Sequence, residues 1–252
     1  ASCVLLRARH IYPVSSPPIE DGFVRLQGGH ISQIGPWNDG LDQAEVDDLG
    51  EVILMPGLVN AHCHLDYTDF VGAIPSTASF TDWIRAMVDL KADVDDAAHQ
   101  KSWLHGAQQC LRHGMTTLGN IETRLDVLPS LWEQTPLRVV SFLEIILLKP
   151  ESDPAEELGK LQAWMQANIP PRGCVGLSPH APYTTKFELL EGCAEFIDLP
   201  MAMHVGESAE ENQMFREGAG AMFDLLSQAG RDMNDCADQS PIANAQRAGL
   251  LG

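Results

Sequence analysis

The chain has 252 residues, 44% of them hydrophobic and 20% charged, which predicts a globular protein of one large domain or two modest ones. Its formal net charge of −19 argues against nucleic acid and anionic membranes as partners, because both are bound through Lys and Arg. No apolar run reaches the roughly 18 residues that a membrane-spanning helix needs, so a membrane protein is not expected.

The start of the sequence and its cysteines bear on the compartment. The first residues, ASCVLLRARHIYPV, lack the apolar core and cleavage site of a signal peptide. The six cysteines are scattered and form no CxxC pair. We therefore expect reduced cysteines and a cytoplasmic location.

Residues 1–55 have the pattern of short strands and turns, and we expect them to form a small β-sandwich domain. The segment GFVRLQGGHISQIGP, residues 22–36, alternates apolar and polar side chains on either side of Gly28 and Gly29. This pattern predicts a β-hairpin. The segment EVILMPG then leads into a second domain, expected over residues 56–252.

From about residue 56, short apolar strands alternate with helical stretches. This alternation predicts an α/β fold with a parallel sheet and right-handed crossovers, and its repetition favours a (β/α)8 barrel. The expected strands are 58–64, 115–120, 137–145, 173–179 and 199–205. The expected helices lie in 80–94, 99–114, 153–168, 185–198, 208–218 and 221–230, with a last helical segment in 240–252.

The number of expected strands is too small for a closed barrel. Five strands are expected, whereas a barrel of this kind has eight. An open barrel exposes parallel edges, which natural proteins avoid. We therefore interpret residues 56–252 as a partial barrel and the sequence as a fragment of a longer protein.

The pattern His62-Cys63-His64 ends the first expected barrel strand. Residues i and i+2 of a strand point to one face, so both imidazoles are expected at the barrel mouth, where such barrels place their active sites. Two imidazoles on one face suit Zn²⁺ or Fe²⁺. The alternative is a pair of surface or hydrogen-bonded core histidines.

The surrounding sequence resembles the amidohydrolase superfamily. PGLVNAHCHLD, residues 56–66, is similar to its first-strand HxH metal motif, and HGMTTLGN, residues 113–120, is similar to its second strand. VGLSPHAPYTT, residues 175–185, and MAMHVGES, residues 201–208, resemble the fourth-strand stretch and the fifth-strand HxxE of its deaminase branch. The four matches follow the family's order, and the small β-domain before the barrel also fits it.

The resemblance implies roles for five side chains. His62, His64 and His204 would bind the metal. Glu207 would carry protons, and its alternative is a first-turn acid of the following helix, which the helix dipole favours. His180 would hydrogen-bond the substrate, and its alternative is a loop histidine held by neighbouring prolines. The alternative for His204 is a satisfied core histidine.

The resemblance also bears on the number of metal ions. Binuclear members carry a lysine on the fourth strand, whereas CVGLSPH, residues 174–180, has none. One divalent ion is therefore expected, with zinc favoured and iron as the alternative, because three histidines suit both. The family adds a histidine on strand six and an aspartate at the end of strand eight. Neither is recognisable here, so activity is expected to require residues missing from this chain.

Five other residues near the motifs are interpreted without the resemblance. Asp66 and Tyr67 face the expected pocket or belong to loop structure, and Glu144 is either a buried structural acid or a pocket residue. Trp83 either lies under the mouth of the barrel or packs its helix, and packing is favoured because helical spacing more often indicates core. Cys63 points away from the histidines and is expected to pack as a small hydrophobe.

The resemblance implies hydrolytic deamination of an amino-substituted, purine-like or pyrimidine-like ring, with metal-activated hydroxide as the nucleophile. A chlorohydrolase or a cyclic amidohydrolase using the same metal is an alternative, and so is an inactive fragment that binds no metal. The expected partner is a small-molecule substrate, with neither nucleic acid nor membrane. A homodimer is allowed, since family members often pair.

Overall fold

Two compact units, Ala1–Leu58 and Val59–Gly252, make up the chain, and the computed structural model describes residues 3–41 and 45–251. The sequence predicted a domain boundary after residue 55, and that assignment stays a prediction.

A five-stranded mixed sheet forms the first unit. Its strands are β1 (Cys3–Ile11), β2 (Ile19–Gln27), β3 (His30–Pro36), β4 (Glu45–Asp48) and β5 (Ile53–Leu54). The order is β3-β2-β1-β4, and β5 also pairs with β1. The predicted hairpin is confirmed, because β2 and β3 are antiparallel and both glycines between them have positive φ. The second layer of the predicted β-sandwich stays a prediction.

A four-stranded sheet forms the centre of the second unit. Its strands are β6 (Leu58–Cys63), β7 (Met115–Glu122), β8 (Arg138–Ile145) and β9 (Gly173–Pro179), and they neighbour each other in chain order. β7, β8 and β9 pair in parallel, with Asn120 opposite Ser141 and Leu143 opposite Leu177. The predicted α/β class with a parallel sheet is confirmed.

The fifth strand predicted for the second unit, 199–205, is wrong as a strand. Among the described residues it reduces to a single parallel bridge between Met201 and Leu177. Leu177 N–H donates to the Pro200 carbonyl and Ala202 N–H donates to the Leu177 carbonyl, both at 3.0 Å. His204 N–H donates to the His180 carbonyl at 2.8 Å. Pro200 has no N–H to extend the pairing. The segment still runs along the edge of β9 and ends at His204.

Helices follow the strands of the second unit. They are α1 (Phe80–Ala92), α2 (Asp96–Arg112), α3 (Leu128–Glu133), α4 (Pro154–Ala167), α5 (Phe187–Ala194), α6 (Ala209–Glu217), α7 (Ala221–Gln228) and α8 (Pro241–Arg247). A 3₁₀ helix, Leu65–Phe70, follows β6. The short α3 and the 3₁₀ helix were not expected from the sequence. In the described part of the chain, no helix has the length and apolar character to cross a membrane.

The apolar core lies between the sheet and its helices. Leu143 and Leu177 are fully buried against α3, α4 and α5, where they meet Leu128, Leu158 and Leu189. Because side chains alternate along a strand, the residue after Leu143 points to the opposite face of the sheet. That opposite face carries the polar side chains of the candidate site.

Two glycines, one in β7 and one in β9, allow close approach of the two segments that carry the histidines. A Cβ at Gly119 would lie 2.3 Å from the Ala61 carbonyl oxygen in β6, and a Cβ at Gly176 would lie 2.4 Å from the Pro200 carbonyl oxygen. The Phe142 ring, on the strand between them, occupies the remaining space beside both glycines. The absence of side chains at these two positions therefore sets how close β6 comes to β7 and how close the segment before His204 comes to β9.

A buried glutamate under the sheet predicts an unusual dependence of stability on pH. The Glu122 carboxylate is 2% exposed and accepts hydrogen bonds from Trp103 Nε1 at 3.0 Å and Ser141 Oγ at 2.9 Å. Burial raises its pKa from 4.5 to about 7. The folded state therefore binds the proton more tightly than the unfolded state, so this carboxyl lowers the free energy of unfolding as pH rises from 4.5 to 7.

We expect Glu122→Gln to flatten that part of the pH profile. The pKa difference corresponds to a loss on the order of 3 kcal/mol across the window in the unmodified protein. Urea unfolding followed by tryptophan fluorescence at pH 4.5, 6 and 7.5 measures it. The exposed Glu133→Gln is the control and should keep the original slope. An unchanged slope in Glu122→Gln would contradict the assignment.

Candidate metal centre and its pocket

Three histidines from two separate segments meet at one end of the sheet. His62 and His64 come from the end of β6, and His204 comes from the segment beside β9. Their ring centroids are 5.0–5.3 Å apart, and one nitrogen of each ring lies within 4.8 Å of the others. The sequence predicted this trio, and the structure brings it together. The role of the three as metal ligands stays a prediction.

The donor set fits a divalent transition metal. Three imidazole nitrogens at this spacing suit Zn²⁺, with room for further ligands. The Nδ1 atom of His64 is buried and has no hydrogen-bond partner among the residues that the structure describes. Burial, with His204 and His62 nearby, lowers the pKa of His64 to about 3, so the ring is neutral at pH 7 and can offer a lone pair. A buried nitrogen without a partner is the atom that a metal would satisfy.

His180 lies beside this trio, with its ring centroid 5.2 Å from that of His204. Its Nδ1 is 2.6 Å from Thr184 Oγ1, and the Thr184 hydroxyl donates to the Ala181 carbonyl at 3.3 Å. Because that hydroxyl proton is already used, His180 Nδ1–H donates to Thr184, which leaves Nε2 as an acceptor. The predicted substrate contact of His180 stays a prediction, and the network leaves Nε2 free to make it.

Glu207 is held at the edge of the same site by three contacts. Its Oε1 lies 3.5 Å from His204 Nδ1, and its Oε2 accepts a hydrogen bond from the Tyr183 hydroxyl at 2.8 Å. Its backbone N–H donates to Glu211 Oε2 at 2.7 Å. The helix α6 begins at Ala209 with Ser208 as its N-cap. The alternative that Glu207 is a first-turn acid of that helix is therefore wrong.

Glu144 also faces this site. One of its carboxylate oxygens and one nitrogen each of His180 and His204 lie within 4.8 Å of one another. Burial raises the pKa of Glu144 to about 7, against the opposing charge of Lys91. The sequence left open whether Glu144 is structural, and the structure places it in the pocket.

Tyr67 packs against one histidine of the trio, His64. Its ring stacks on His64 with centroids 4.9 Å apart and planes 9° from parallel. The Tyr67 hydroxyl accepts a hydrogen bond from Lys91 Nζ at 2.8 Å. The sequence placed Tyr67 facing the pocket or in loop structure, and the structure shows the pocket. Lys91 was not expected there.

A cavity of about 370 Å³ opens in front of these groups. One wall is apolar and comes from α1. The residues lining the cavity are His64, Tyr67, Phe80, Trp83, Ile84, Met87, Val88, Lys91, Glu144, Ile146, His180, Tyr183, Thr184, His204 and Glu207. A concave, mostly apolar site with a few convergent polar groups is the usual form of a small-molecule site.

Of two packing assignments made from the sequence near the site, the structure contradicts the one for Trp83 and agrees with the one for Cys63. The favoured assignment of Trp83 to packing is wrong, because Trp83 lines the cavity, is 37% exposed and stacks on Phe80, 5.5 Å away. Cys63 does pack as a small hydrophobe against the cluster around Trp103. Asp66 turns away from the cavity and is 4% exposed, with Thr123 Oγ1 donating to it at 3.0 Å.

Most of the sequence of the second unit matches that of a known protein family. Residues 53–232 match the model of the amidohydrolase family. The chain belongs to the amidohydrolase family. The matched range contains every histidine of the candidate centre and Glu207.

Curated relatives of this amidohydrolase chain are deaminases. A 5-methylthioadenosine/S-adenosylhomocysteine deaminase of Nitratidesulfovibrio vulgaris is 29% identical in an alignment of length 218 that covers 78% of this chain and 48% of that protein. An aminodeoxyfutalosine deaminase of Deinococcus radiodurans is 29% identical in an alignment of length 181 that covers 68% of this chain and 41% of that protein. The chain thus spans about half the length of the curated relatives it matches.

Solved structures of amidohydrolase type share the fold. An adenosine deaminase from Xanthomonas campestris with bound zinc aligns with a TM-score of 0.73 and 23% identity, over 99% of this chain and 55% of that one. Helicobacter pylori aminofutalosine deaminase in complex with methylthio-coformycin aligns with a TM-score of 0.76 and 18% identity, over 97% and 61%. These likenesses support the partial (β/α)8 barrel predicted for the second unit.

Three pocket residues of this amidohydrolase chain had little or no sequence signal. Tyr183 lies in the quoted stretch around His180 but carries no motif of its own. Lys91 looks like an ordinary last-turn cation of α1, which the helix dipole favours. Glu144 sits one residue after a core leucine, and strand alternation alone would have placed it on the face opposite that core.

Proposed function

We propose that the protein is a metal-dependent hydrolytic deaminase acting on an amino-substituted heterocycle. The observation that carries the proposal is the placement of the Glu207 carboxylate, 3.5 Å from His204 and oriented by Tyr183, beside three converging imidazoles. A deaminase needs both a site for activating water and a group that moves its proton to the leaving nitrogen. The closeness of the Glu207 carboxylate to the three imidazoles supports both roles.

We infer that one divalent ion, zinc by preference, is held by His62, His64 and His204. When bound, such an ion lowers the pKa of a coordinated water to about 7. The buried, partnerless Nδ1 of His64 and the three-imidazole donor set support this assignment. The zinc bound in the Xanthomonas campestris adenosine deaminase supports zinc over iron.

The chain's own residues supply positioning and proton transfer. Glu207 is placed to accept the proton of the attacking water and deliver it to the departing amino nitrogen, so that ammonia leaves as a neutral molecule. His180 Nε2 is free to accept a hydrogen bond from the substrate. The apolar side chains of α1 give a flat ring a surface to pack on and keep water from that side of it.

We propose adenine-type nucleosides as the substrate class. The support comes from the names of the relatives, which are deaminases of 5-methylthioadenosine, S-adenosylhomocysteine, 5'-deoxyadenosine and aminodeoxyfutalosine. A cavity of about 370 Å³ is within the range of small-molecule sites. A chlorohydrolase or cyclic amidohydrolase reaction is the competing outcome of the test.

A substrate panel tests the proposal. The zinc-loaded protein, in the full-length form of which this chain is expected to be a part, is incubated with aminated purines and pyrimidines, their nucleosides, a chlorinated triazine and a cyclic amide, and ammonia, chloride and ring opening are measured. We expect ammonia from adenine-type nucleosides and no reaction with the other two classes. Chloride release or ring opening in place of ammonia would replace the deaminase by one of its alternatives. No reaction together with no bound metal would support an inactive chain.

The hydrogen bond from Tyr183 gives a more selective prediction. We expect Tyr183→Phe to lower kcat about 10-fold with little change in KM, because a lost hydrogen bond to a charged group is worth about that factor. The ring still packs among its neighbours, so the fold and the metal content should be preserved. Steady-state kinetics and metal analysis measure both. Tyr12→Phe, in the first unit, is the matched control, and a wild-type kcat in Tyr183→Phe would contradict this role for the hydroxyl.

We propose a cytoplasmic location, which the six free cysteines support because cytoplasmic thiols stay reduced. The homodimer allowed by the resemblance stays a prediction.

A further inference from the structure

The carboxylate of Glu144 has a place in the pocket but no assigned task. It is the penultimate residue of β8, and the residue before it, Leu143, is fully buried in the core between sheet and helices. Alternation along the strand therefore directs Glu144 to the other face, where it lines the cavity. Its cross-strand neighbour, Ser178, has a buried hydroxyl without a hydrogen-bond partner in the described part of the chain.

Glu144 is half-buried and differs from the two buried glutamates, Glu122 and Glu211, because no donor among the described residues hydrogen-bonds to its carboxylate. Glu122 accepts from Trp103 and Ser141, and Glu211 accepts from the backbone of Glu207. Within residues 3–41 and 45–251, Glu144 forms neither a side-chain hydrogen bond nor a salt bridge. Lys91 lines the same cavity but donates to the Tyr67 hydroxyl instead. A half-buried carboxylate without a donor is unfavourable unless a ligand supplies one.

The position of Glu144 places such a ligand close to the reacting end of the pocket. Its carboxylate and the nearest nitrogens of His180 and His204 lie within 4.8 Å of one another. The facing wall, from α1, is apolar. In a pocket of this kind, a few convergent polar groups fix the orientation of the ligand and decide which ligands fit.

We propose that Glu144 is a specificity-determining residue that accepts a hydrogen bond from an N–H or O–H donor of the bound substrate. The inference rests on the proposed function, because it assumes that the occupant of the cavity is the heterocyclic substrate. The donor comes either from the amino-substituted ring or from a hydroxyl of an attached sugar. Glu144 discriminates against molecules without that donor, since they leave its carboxylate buried and unpaired.

The first experiment compares the wild type with Glu144→Gln on three substrates: adenosine, 2',3'-dideoxyadenosine and adenine. We expect Glu144→Gln to lower kcat/KM for adenosine about 10- to 100-fold, the usual factor for one hydrogen bond to a charged group. A loss with adenosine alone identifies the sugar hydroxyls as the donor. A loss of similar size with all three identifies the ring. Equal kcat/KM values for both proteins on every substrate would overturn the proposal.

A binding measurement separates this proposal from the deaminase function. In the Glu207→Gln background, where turnover is expected to be slow, adenosine Kd is measured with and without Glu144→Gln. Weaker binding in the double variant, without ammonia release by the wild type, would overturn the deaminase function alone. Ammonia release by the wild type with unchanged Kd and kcat/KM would overturn the role of Glu144 alone. Absence of both binding and turnover in the wild type would overturn both.

The control variants guard against a folding artefact. Glu191→Gln, on the exposed side of α5, makes the same chemical change away from the cavity and should leave all three substrates unaffected. Thermal unfolding and metal content of Glu144→Gln should match those of the wild type. If Glu144→Gln unfolds early, Glu144→Asp serves as the second variant, and loss of discrimination between the substrates by either one supports the proposal.

Discussion

Glu207→Gln is expected to lower kcat/KM for ammonia release by about 10³-fold while the metal content stays at the wild-type level. General acid–base groups contribute roughly 10²- to 10⁴-fold to rate, and glutamine has the shape of glutamate without its basicity. The side chain of Glu207 contacts His204 Nδ1 only at 3.5 Å, so its replacement leaves the three imidazoles in place.

Steady-state kinetics and elemental analysis on the same preparation check this expectation. Glu217→Gln, an exposed acid at the end of α6, is the matched control and should retain full activity. Activity within a few-fold of the wild type in Glu207→Gln would show that another group carries the proton. Loss of metal along with activity would show that Glu207 acts on the metal and not on the proton.

His64→Ala is expected to remove the metal together with the activity. His64 is the member of the trio whose Nδ1 is buried without a partner in the described structure, so no protein group competes for its lone pair. Loss of a direct ligand should weaken metal binding more than the 10- to 100-fold that loss of a supporting residue costs. We expect metal content well below one-tenth of the wild-type value after dialysis.

Elemental analysis after dialysis against a weak chelator measures this loss, and urea unfolding with and without added zinc adds a second readout. The wild type should unfold at a higher urea concentration when zinc is added, because a ligand that binds only the native state stabilises it. His64→Ala should lose that zinc-dependent shift. His113→Ala, at the C-terminal end of α2, is the control and should keep it. Full zinc retention in His64→Ala would refute its role as a ligand.

Sequence patterns predicted the parallel sheet well because its strands are short, apolar and bounded by Gly or Pro. The strand predicted at 173–179 has the observed bounds, and the strand predicted at 58–64 ends one residue later than β6 does. The strand prediction failed at 199–205. Pro200 has no backbone N–H to donate, and this segment pairs with β9 through a single bridge. The six-residue α3 is held by burial of Leu128, Leu131 and Trp132, which is tertiary packing that local propensity does not report.

Some residues of the candidate site were predicted from the sequence, and others were found only in the structure. His62 and His64 were found because residues i and i+2 of a strand share one face. His204 and Glu207 were assigned through the resemblance of MAMHVGES to the fifth-strand HxxE of the family's deaminase branch. Tyr183 and Lys91 are in the site because hydrogen bonds to Glu207 and Tyr67 bring them there from other elements. Trp83 was misassigned because helical spacing indicates a buried face without saying whether a core or a cavity covers it.

The apolar wall of the cavity and its histidine centre come from different kinds of element. The histidines stand on segments fixed to the sheet, whereas the wall is one helix, α1, tied at its start by Phe80 N–H to Glu210 and at its end by Lys91 to Tyr67. Between these two ties, the cavity is lined by Trp83, Ile84, Met87 and Val88. A library confined to the four codons of Trp83, Ile84, Met87 and Val88 is therefore expected to vary the apolar wall of the cavity while keeping both ties of α1 and the histidine trio unchanged.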